Sequence, residues 1–230
     1  MGEDAFGTQT LKVINDLHQK GIKNYVVLTR HSARHYSTAE NDMIMGLTEE
    51  GKQASFEFGK ALPSNSSIRH FSSPVSRCIE TSELIEKGHL SKGGKTQTNI
   101  GVDYLAPFFV RDGQKVIQMA YEYVMTGNYP NFYRSWCNGE ISAGLIDDAS
   151  QSAQRLLDTL LNLLQQPSDF TGNICVTHDW HLVLLKEHYL GQRAEDYGNI
   201  DFLEGVIIYQ WKDNHYIINH QSEARVLKVK

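Results

Sequence analysis

Short apolar runs alternate along this chain with stretches whose apolar residues recur at helical spacing. Across residues 10–20, Leu11, Ile14, Leu17 and His18 fall on one side of an amphipathic helix that Gly21 stops. Tyr25-Val26-Val27-Leu28 is a continuous, β-branched run, suited to a strand buried on both faces of a parallel sheet. Polar residues follow from Thr29 to Asn41, so that strand empties into a loop. Thr48 opens a second helix: Glu49 and Glu50 in its first turn suit the helix dipole, Phe56, Phe58 and Leu62 give it an apolar side, and Pro63 follows its end. A strand is expected at 68–72, a helix at 75–87 with Pro74 near its start, a turn at Lys92-Gly93-Gly94-Lys95 and a strand at 96–100.

The stretch 101–145 is the least regular. Eight aromatic residues lie between Phe108 and Trp136, and helical pieces are expected at 112–125 and 130–137. A long helix follows at 146–164, with Leu156, Leu157, Leu160, Leu161 and Leu164 on its apolar side. Asn173-Ile174-Cys175-Val176-Thr177 is a second short buried strand, with His178-Asp179 directly after it and a helix near 181–190. Residues 206–211 and 215–219 form a hairpin across Lys212-Asp213-Asn214. This alternation of strands and helices predicts an α/β sandwich. In such folds ligands sit outside the carboxyl ends of the strands. Arg30-His31 and His178-Asp179 each follow a buried strand, so both are expected to face one crevice.

Length and composition narrow the picture. The 230 residues suffice for one domain with a real core, and 40% apolar with 21% charged residues is ordinary globular usage. The formal charge of −5 argues against a nucleic-acid binder, though a local basic pocket remains compatible with it. Cys78, Cys137 and Cys175 are scattered without a CxxC, which argues against a structural zinc and against a disulfide framework. The acidic start lacks the apolar stretch of a secretory signal, and Phe6 stands where a myristoylation pattern needs Ser or Thr. No apolar run is long enough to span a bilayer. A soluble, cytoplasmic protein without a membrane partner is the expectation; the sequence leaves its oligomeric state open.

Three clusters carry chemistry. In Arg30-His31-Ser32-Ala33-Arg34 two guanidiniums flank an imidazole, which disfavours the imidazolium and leaves a neutral, nucleophilic ring. Arginine forks also match phosphate oxygens. The plainer alternative is a solvated basic loop. In Ser73-Pro74-Val75-Ser76-Arg77, Arg77 lies just inside a helix start, where amides and guanidinium together make an anion site. Its plainer alternative is a surface pair with Glu80 or Glu83. In Thr177-His178-Asp179, a strand-end His can hold an oxyanion and the Asp can donate a proton, or the Asp simply caps the next helix.

In order and spacing, Arg30-His31-Ser32-Ala33-Arg34, Leu47-Thr48-x-x-Gly51, Ser73-Pro74-x-x-Arg77 with Thr81, and the late strand-to-His178 step resemble the histidine phosphatase superfamily, the phosphoglycerate-mutase-like or histidine acid phosphatase group. The resemblance covers roughly residues 24–89 and 172–190. It implies a three-layer α/β/α sandwich with a mostly parallel central sheet and a small helical insertion, in a single domain over 1–230 with 101–145 as an aromatic lid. It implies a phosphomonoester hydrolase in which His31 becomes phosphohistidine and Arg30, Arg34, Arg77 and His178 hold the phosphoryl oxygens. No metal and no cofactor are implied, and the partner is a small phosphorylated substrate.

The chain also departs from the pattern. Ser32 replaces the usual Gly of the first motif, and Trp180-His181 replace the Thr-Asn of phytase-like members. The middle region of one branch carries a Glu where this chain reads Asp103-Tyr104-Leu105-Ala106-Pro107. Asp179 is therefore the preferred proton donor, ahead of Asp103 and Glu122. A phosphoglycerate-type mutase and a protein-phosphohistidine phosphatase are the related alternatives. A metal-dependent hydrolase using His31, His35, His178, His181 and Asp179 is the alternative from a different class, and a non-catalytic binding module is a further one. The 108–136 aromatics read first as the core of the insertion and second as a substrate-stacking surface.

Overall fold

The computed structural model describes residues 5–36, 44–166, 169–170 and 172–228. The elements run α1 (Thr8–Gln19), β1 (Tyr25–Arg30), α2 (Glu49–Ala61), β2 (Ser67–Ser72), α3 (Ser76–Leu90) and β3 (Lys95–Gly101). A 3-10 turn at Asp103–Leu105 leads into α4 (Gly113–Met125), α5 (Tyr129–Cys137), α6 (Ala149–Gln165) and β4 (Gly172–Thr177). Then come α7 (Asp179–Leu185), a π-helical stretch at Lys186–Leu190, α8 (Ala194–Tyr197), β5 (Gly205–Trp211), β6 (Asn214–Ile218) and β7 (Arg225–Leu227).

The strands form one sheet in the order β3-β2-β4-β1-β5-β6-β7. The first four are mutually parallel, and β5, β6 and β7 add antiparallel to one edge. Alternation along each strand builds two cores. Val27, Ile174, Val176 and Ile207 face Leu11, Ile14, Phe58 and Ile85 of α1–α3. Val26, Leu28, Cys175, Val206 and Ile208 face Leu156 and Leu160 of α6 and Leu182 of α7. Burying each such aliphatic side chain contributes about 1.5–3 kcal/mol, so the sheet is stabilised from both sides in a three-layer α/β/α sandwich. Among the described residues no helix is long and apolar enough to cross a membrane.

Several boundaries differ from the sequence expectation. The strand expected to stop at Leu28 runs on to Arg30, because Thr29 and Arg30 continue the ladder opposite Val176 and Thr177 and Arg30 N donates to the Glu204 carbonyl. The long helix begins at Ala149 rather than at 146. The Asp148 carboxylate caps it by accepting from Gln151 N at 2.8 Å, and Ile146 instead bridges to Val110. The helix after His178 starts earlier than expected, at Asp179, with His178 as its N-cap. Gly21 does end α1, in the left-handed region at φ +79. Residues 37–41 of the expected polar loop lie outside the described residues. The three-residue β7 and four-residue α8 are too short to leave a periodic signal.

The aromatic stretch packs as a core. Phe109, Phe132 and Trp136 are buried. Ring centroids lie 4.8 Å apart for Phe109 and Trp136 and 5.1 Å apart for Phe132 and Trp180 of α7. Helices α4 and α5 thus sit on the α6–α7 layer, at the side of the crevice.

Candidate active site

The parallel register fixes the centre of the site. Arg30, the last residue of β1, pairs with Thr177, the last of β4, so the residues that follow, His31 and His178, emerge at the same level. His31 N donates to the Thr177 carbonyl at 2.9 Å, and the two imidazole centroids are 5.7 Å apart. His31 Nδ1 lies 2.8 Å from the Ser32 carbonyl. A carbonyl only accepts, so Nδ1 carries the hydrogen and Nε2 keeps the lone pair. Arg77 Nε donates to that Nε2 at 3.2 Å. Burial, then the charges of Arg30 and Arg77, hold the His31 imidazole well below its usual range. The ring is therefore a neutral base with its lone pair in a cationic pocket.

The other two motifs buttress this loop. Thr48 caps α2 by accepting from Gly51 N at 3.0 Å, and its own N donates to the Ala33 carbonyl. A Cβ on Gly51 would lie 2.0 Å from the Ala33 oxygen, so only glycine lets α2 approach the His31 loop this closely. Ser32 N donates to Thr81 Oγ1 at 3.1 Å, and that hydroxyl donates to the Arg77 carbonyl at 2.7 Å, tying the loop to α3.

Arg77 sits in the first turn of α3 and is 6% exposed. Besides His31 it reaches His178, with Nη2 3.4 Å from Nδ1. A guanidinium only donates, so His178 Nδ1 accepts and Nε2 faces Ser73 Oγ at 3.1 Å. Burial and then Arg77 keep His178 well below its usual range as well. The surface pairing of Arg77 with Glu80 is not what forms: Glu80 accepts from Leu47 N at 3.1 Å and faces Lys52 at 3.8 Å.

Arg30 and Asp179 close another side. Arg30 Nη2 is 3.9 Å from Asp179 Oδ2, its Nη1 donates to the Ile200 carbonyl, and its guanidinium lies 4.4 Å from the Phe202 ring centroid. Tyr133 of α5 donates its hydroxyl to Asp179 Oδ2 at 3.4 Å. Asp179 Oδ1 accepts from Trp180 N, so the carboxylate steadies the helix start while one oxygen faces the crevice.

Other expected residues are not gathered in. Arg34 is half-buried, donates to the His35 carbonyl at 3.2 Å and stacks over Tyr36, although its charge still contributes to keeping His31 neutral. His35 is exposed. His181 is buried, with Nε2 on the Ala106 carbonyl at 3.0 Å. The four histidines of the metal reading thus do not converge, and Arg77 stands between His31 and His178. Asp103 and Glu122 are exposed, on the 3-10 turn and on α4. Sequence reasoning missed Phe202 and the role of Tyr133. The first carries no motif, and the second is one of eight aromatics with nothing in its spacing to single it out.

No family model and no curated protein matches this sequence. Solved structures do match. The mycobacterial glucosyl-3-phosphoglycerate phosphatase in complex with inorganic phosphate aligns with a TM-score of 0.56 at 12% identity, over 88% of this chain and 95% of that one. Bacillus stearothermophilus YhfR aligns at 0.55 with 15% identity, over 86% and 100%. The phosphoglycerate mutase of Bacillus anthracis aligns at 0.52 with 16% identity, over 91% and 95%. At these identities the likeness is one of architecture: the chain has the phosphoglycerate-mutase-like fold.

Proposed function

We propose that this protein is a phosphomonoester hydrolase that works through a phosphohistidine on His31. The observation that carries the reading is the His31 Nε2 lone pair in a buried pocket beside the Arg77 guanidinium and His178. Phosphoryl transfer depends on positioning and on compensating the charge of the equatorial oxygens, and Arg77, Arg30 and His178 supply both, with Arg34 adding charge from the loop. The Arg77 Nε hydrogen bond to Nε2 gives way as the guanidinium turns to the phosphoryl oxygens, Nε2 attacks phosphorus, and the N–P bond forms as the ester P–O bond breaks. The leaving alkoxide takes the proton of the Asp179 carboxyl. Water then attacks phosphorus, the N–P bond breaks, the water proton returns to Asp179, and inorganic phosphate leaves.

The likeness to a glucosyl-3-phosphoglycerate phosphatase and to a phosphoglycerate mutase supports a small phosphorylated substrate. Brief exposure to a labelled phosphoester is expected to leave an acid-labile, base-stable label that a His31→Ala protein lacks. Label retained in His31→Ala sinks the reading. A turnover panel of sugar phosphates, nucleotides, phosphoglycerates and phosphopeptides identifies the substrate class, and it separates release of phosphate from transfer to a second hydroxyl.

A further inference from the structure

Resting on that phosphoryl-transfer reading, we propose that Phe202 is a positioning residue: its ring aims the Arg30 guanidinium into the phosphoryl pocket. The segment 200–204 wraps Arg30 on three sides. The Ile200 carbonyl takes Nη1, the Phe202 ring lies 4.4 Å from the guanidinium carbon, and the Glu204 carbonyl takes Arg30 N at 3.0 Å. What remains are Nε, buried without a hydrogen-bond partner among the described residues, and the Nη2 edge, 3.9 Å from Asp179. The same ring is 6.1 Å from the His31 ring, so it borders the nucleophile as well.

The segment is itself held in a costly shape. Leu203 is buried with φ +59, a conformation that a side chain this large adopts only when its surroundings force it. Three contacts do the forcing. Thr10 Oγ1 donates to the Leu203 carbonyl at 3.0 Å. Lys186 Nζ reaches Glu204 Oε1 at 2.6 Å in a buried ion pair, and Glu204 Oε2 accepts from Asp201 N at 2.9 Å. Phe6 then packs edge-on against Phe202, with centroids 5.3 Å apart. A ring fixed this firmly, on the face of an arginine whose other contacts are backbone carbonyls and one carboxylate, sets the direction of that arginine. It also keeps water off one face of the guanidinium, which strengthens the guanidinium's pull on an anion.

The test measures binding of inorganic phosphate by calorimetry, with a melting curve for each variant. The parent protein is measured first: if it binds no phosphate, the phosphoryl-site reading itself fails, whatever Phe202 does. Given binding by the parent, Phe202→Leu is expected to weaken it by about fivefold or more, and Phe202→Trp to bind close to the parent. A trifluorinated phenylalanine at 202, which keeps the ring's shape but strips its negative face, is expected to fall between them; it serves as the decisive variant if Phe202→Leu does not fold. Parent-like affinity in Phe202→Leu or in the fluorinated protein overturns the proposal. So does an equal loss in Phe202→Leu and Phe202→Trp, which would mean that packing rather than the aromatic face matters.

Discussion

The two sides of the crevice are built in different ways. The side that the proposed reaction gives to the phosphoryl group hangs on backbone: His31 and His178 are level because β1 and β4 pair in register, and Arg77 is delivered by the first turn of α3. The insertion side hangs on side chains. Helix α5 is held by Phe132 and Trp136 on Trp180, α4 packs on α5 through Tyr123 against Phe132, and Tyr133 of α5 reaches Asp179. Sheet register tolerates little displacement, whereas an aromatic cluster can be rebuilt with other residues. On the proposed reaction, the first side is therefore suited to the constant phosphoryl part and the second to the part that varies with the leaving group.

The largest effect expected from this division is at Asp179. Asp179→Asn should lower kcat for an alkyl phosphate by about 10²–10⁴-fold, and affect a nitrophenyl phosphate, whose leaving group needs no proton, far less. Equal losses on both substrates would break the division, since Asp179 would then be acting on the phosphoryl group. Next comes the insertion itself. Phe132 is buried among Tyr129, Tyr133 and Trp180, so Phe132→Ala should cost about 3–5 kcal/mol of stability. Urea unfolding measures that loss, and the protein that remains folded should still take up label at His31. Loss of labelling in folded protein would show that the insertion also holds the nucleophile.

How much of this was legible beforehand follows the same division. Strand-end His31 and His178 could be placed from sequence because apolar runs mark buried parallel strands and ligands gather at their ends. Thr48 and Arg77 could be placed from helix-start patterns, and Gly51 through the family pattern that it completes. The position of Arg34 could not, since a loop residue's direction depends on how the loop folds back, here onto Met45 across the loop and onto the neighbouring Tyr36. Phe202 was invisible for a related reason. Its role comes from tertiary contacts with Arg30 and Phe6, fixed by the left-handed turn at the adjacent Leu203, none of which has a sequence period.

Acid should weaken the two sides separately. His70 lies in β2, buried, with both ring nitrogens unpartnered among the described residues, and burial followed by the nearby His89 pushes it down to about 3. His181, on the insertion side, is pushed by burial to about 3 as well. Their folded values lie below the ordinary 6.5. Between pH 6.5 and about 3 the unfolded chain therefore takes protons that the fold refuses. Stability is full above 6.5 and falls as pH drops through that window, by up to about 1.4 kcal/mol per pH unit for each histidine. Denaturant melts at several pH values should give His70→Leu a slope shallower by about that amount, with the His181 share intact. An unchanged slope would mean that the acid sensitivity arises elsewhere.

The smallest effect is the most discriminating. Tyr133 is buried, and burial and then Asp179 push its hydroxyl well above the usual range, so it remains a proton-bearing donor throughout the working pH. Its bond to Asp179 is long, at 3.4 Å, and a hydrogen bond of this kind contributes about 0.5–1.5 kcal/mol. Tyr133→Phe removes this bond and the hydroxyl's bond to Tyr129 while keeping the ring, so kcat on an alkyl phosphate should fall about two- to fivefold while phosphate affinity stays at the parent value. A fall confined to kcat would tie the insertion to the leaving-group proton. A loss of phosphate affinity would instead reveal that the hydroxyl steadies Arg30 through Asp179, and the line between the two sides would have to be redrawn at that carboxylate.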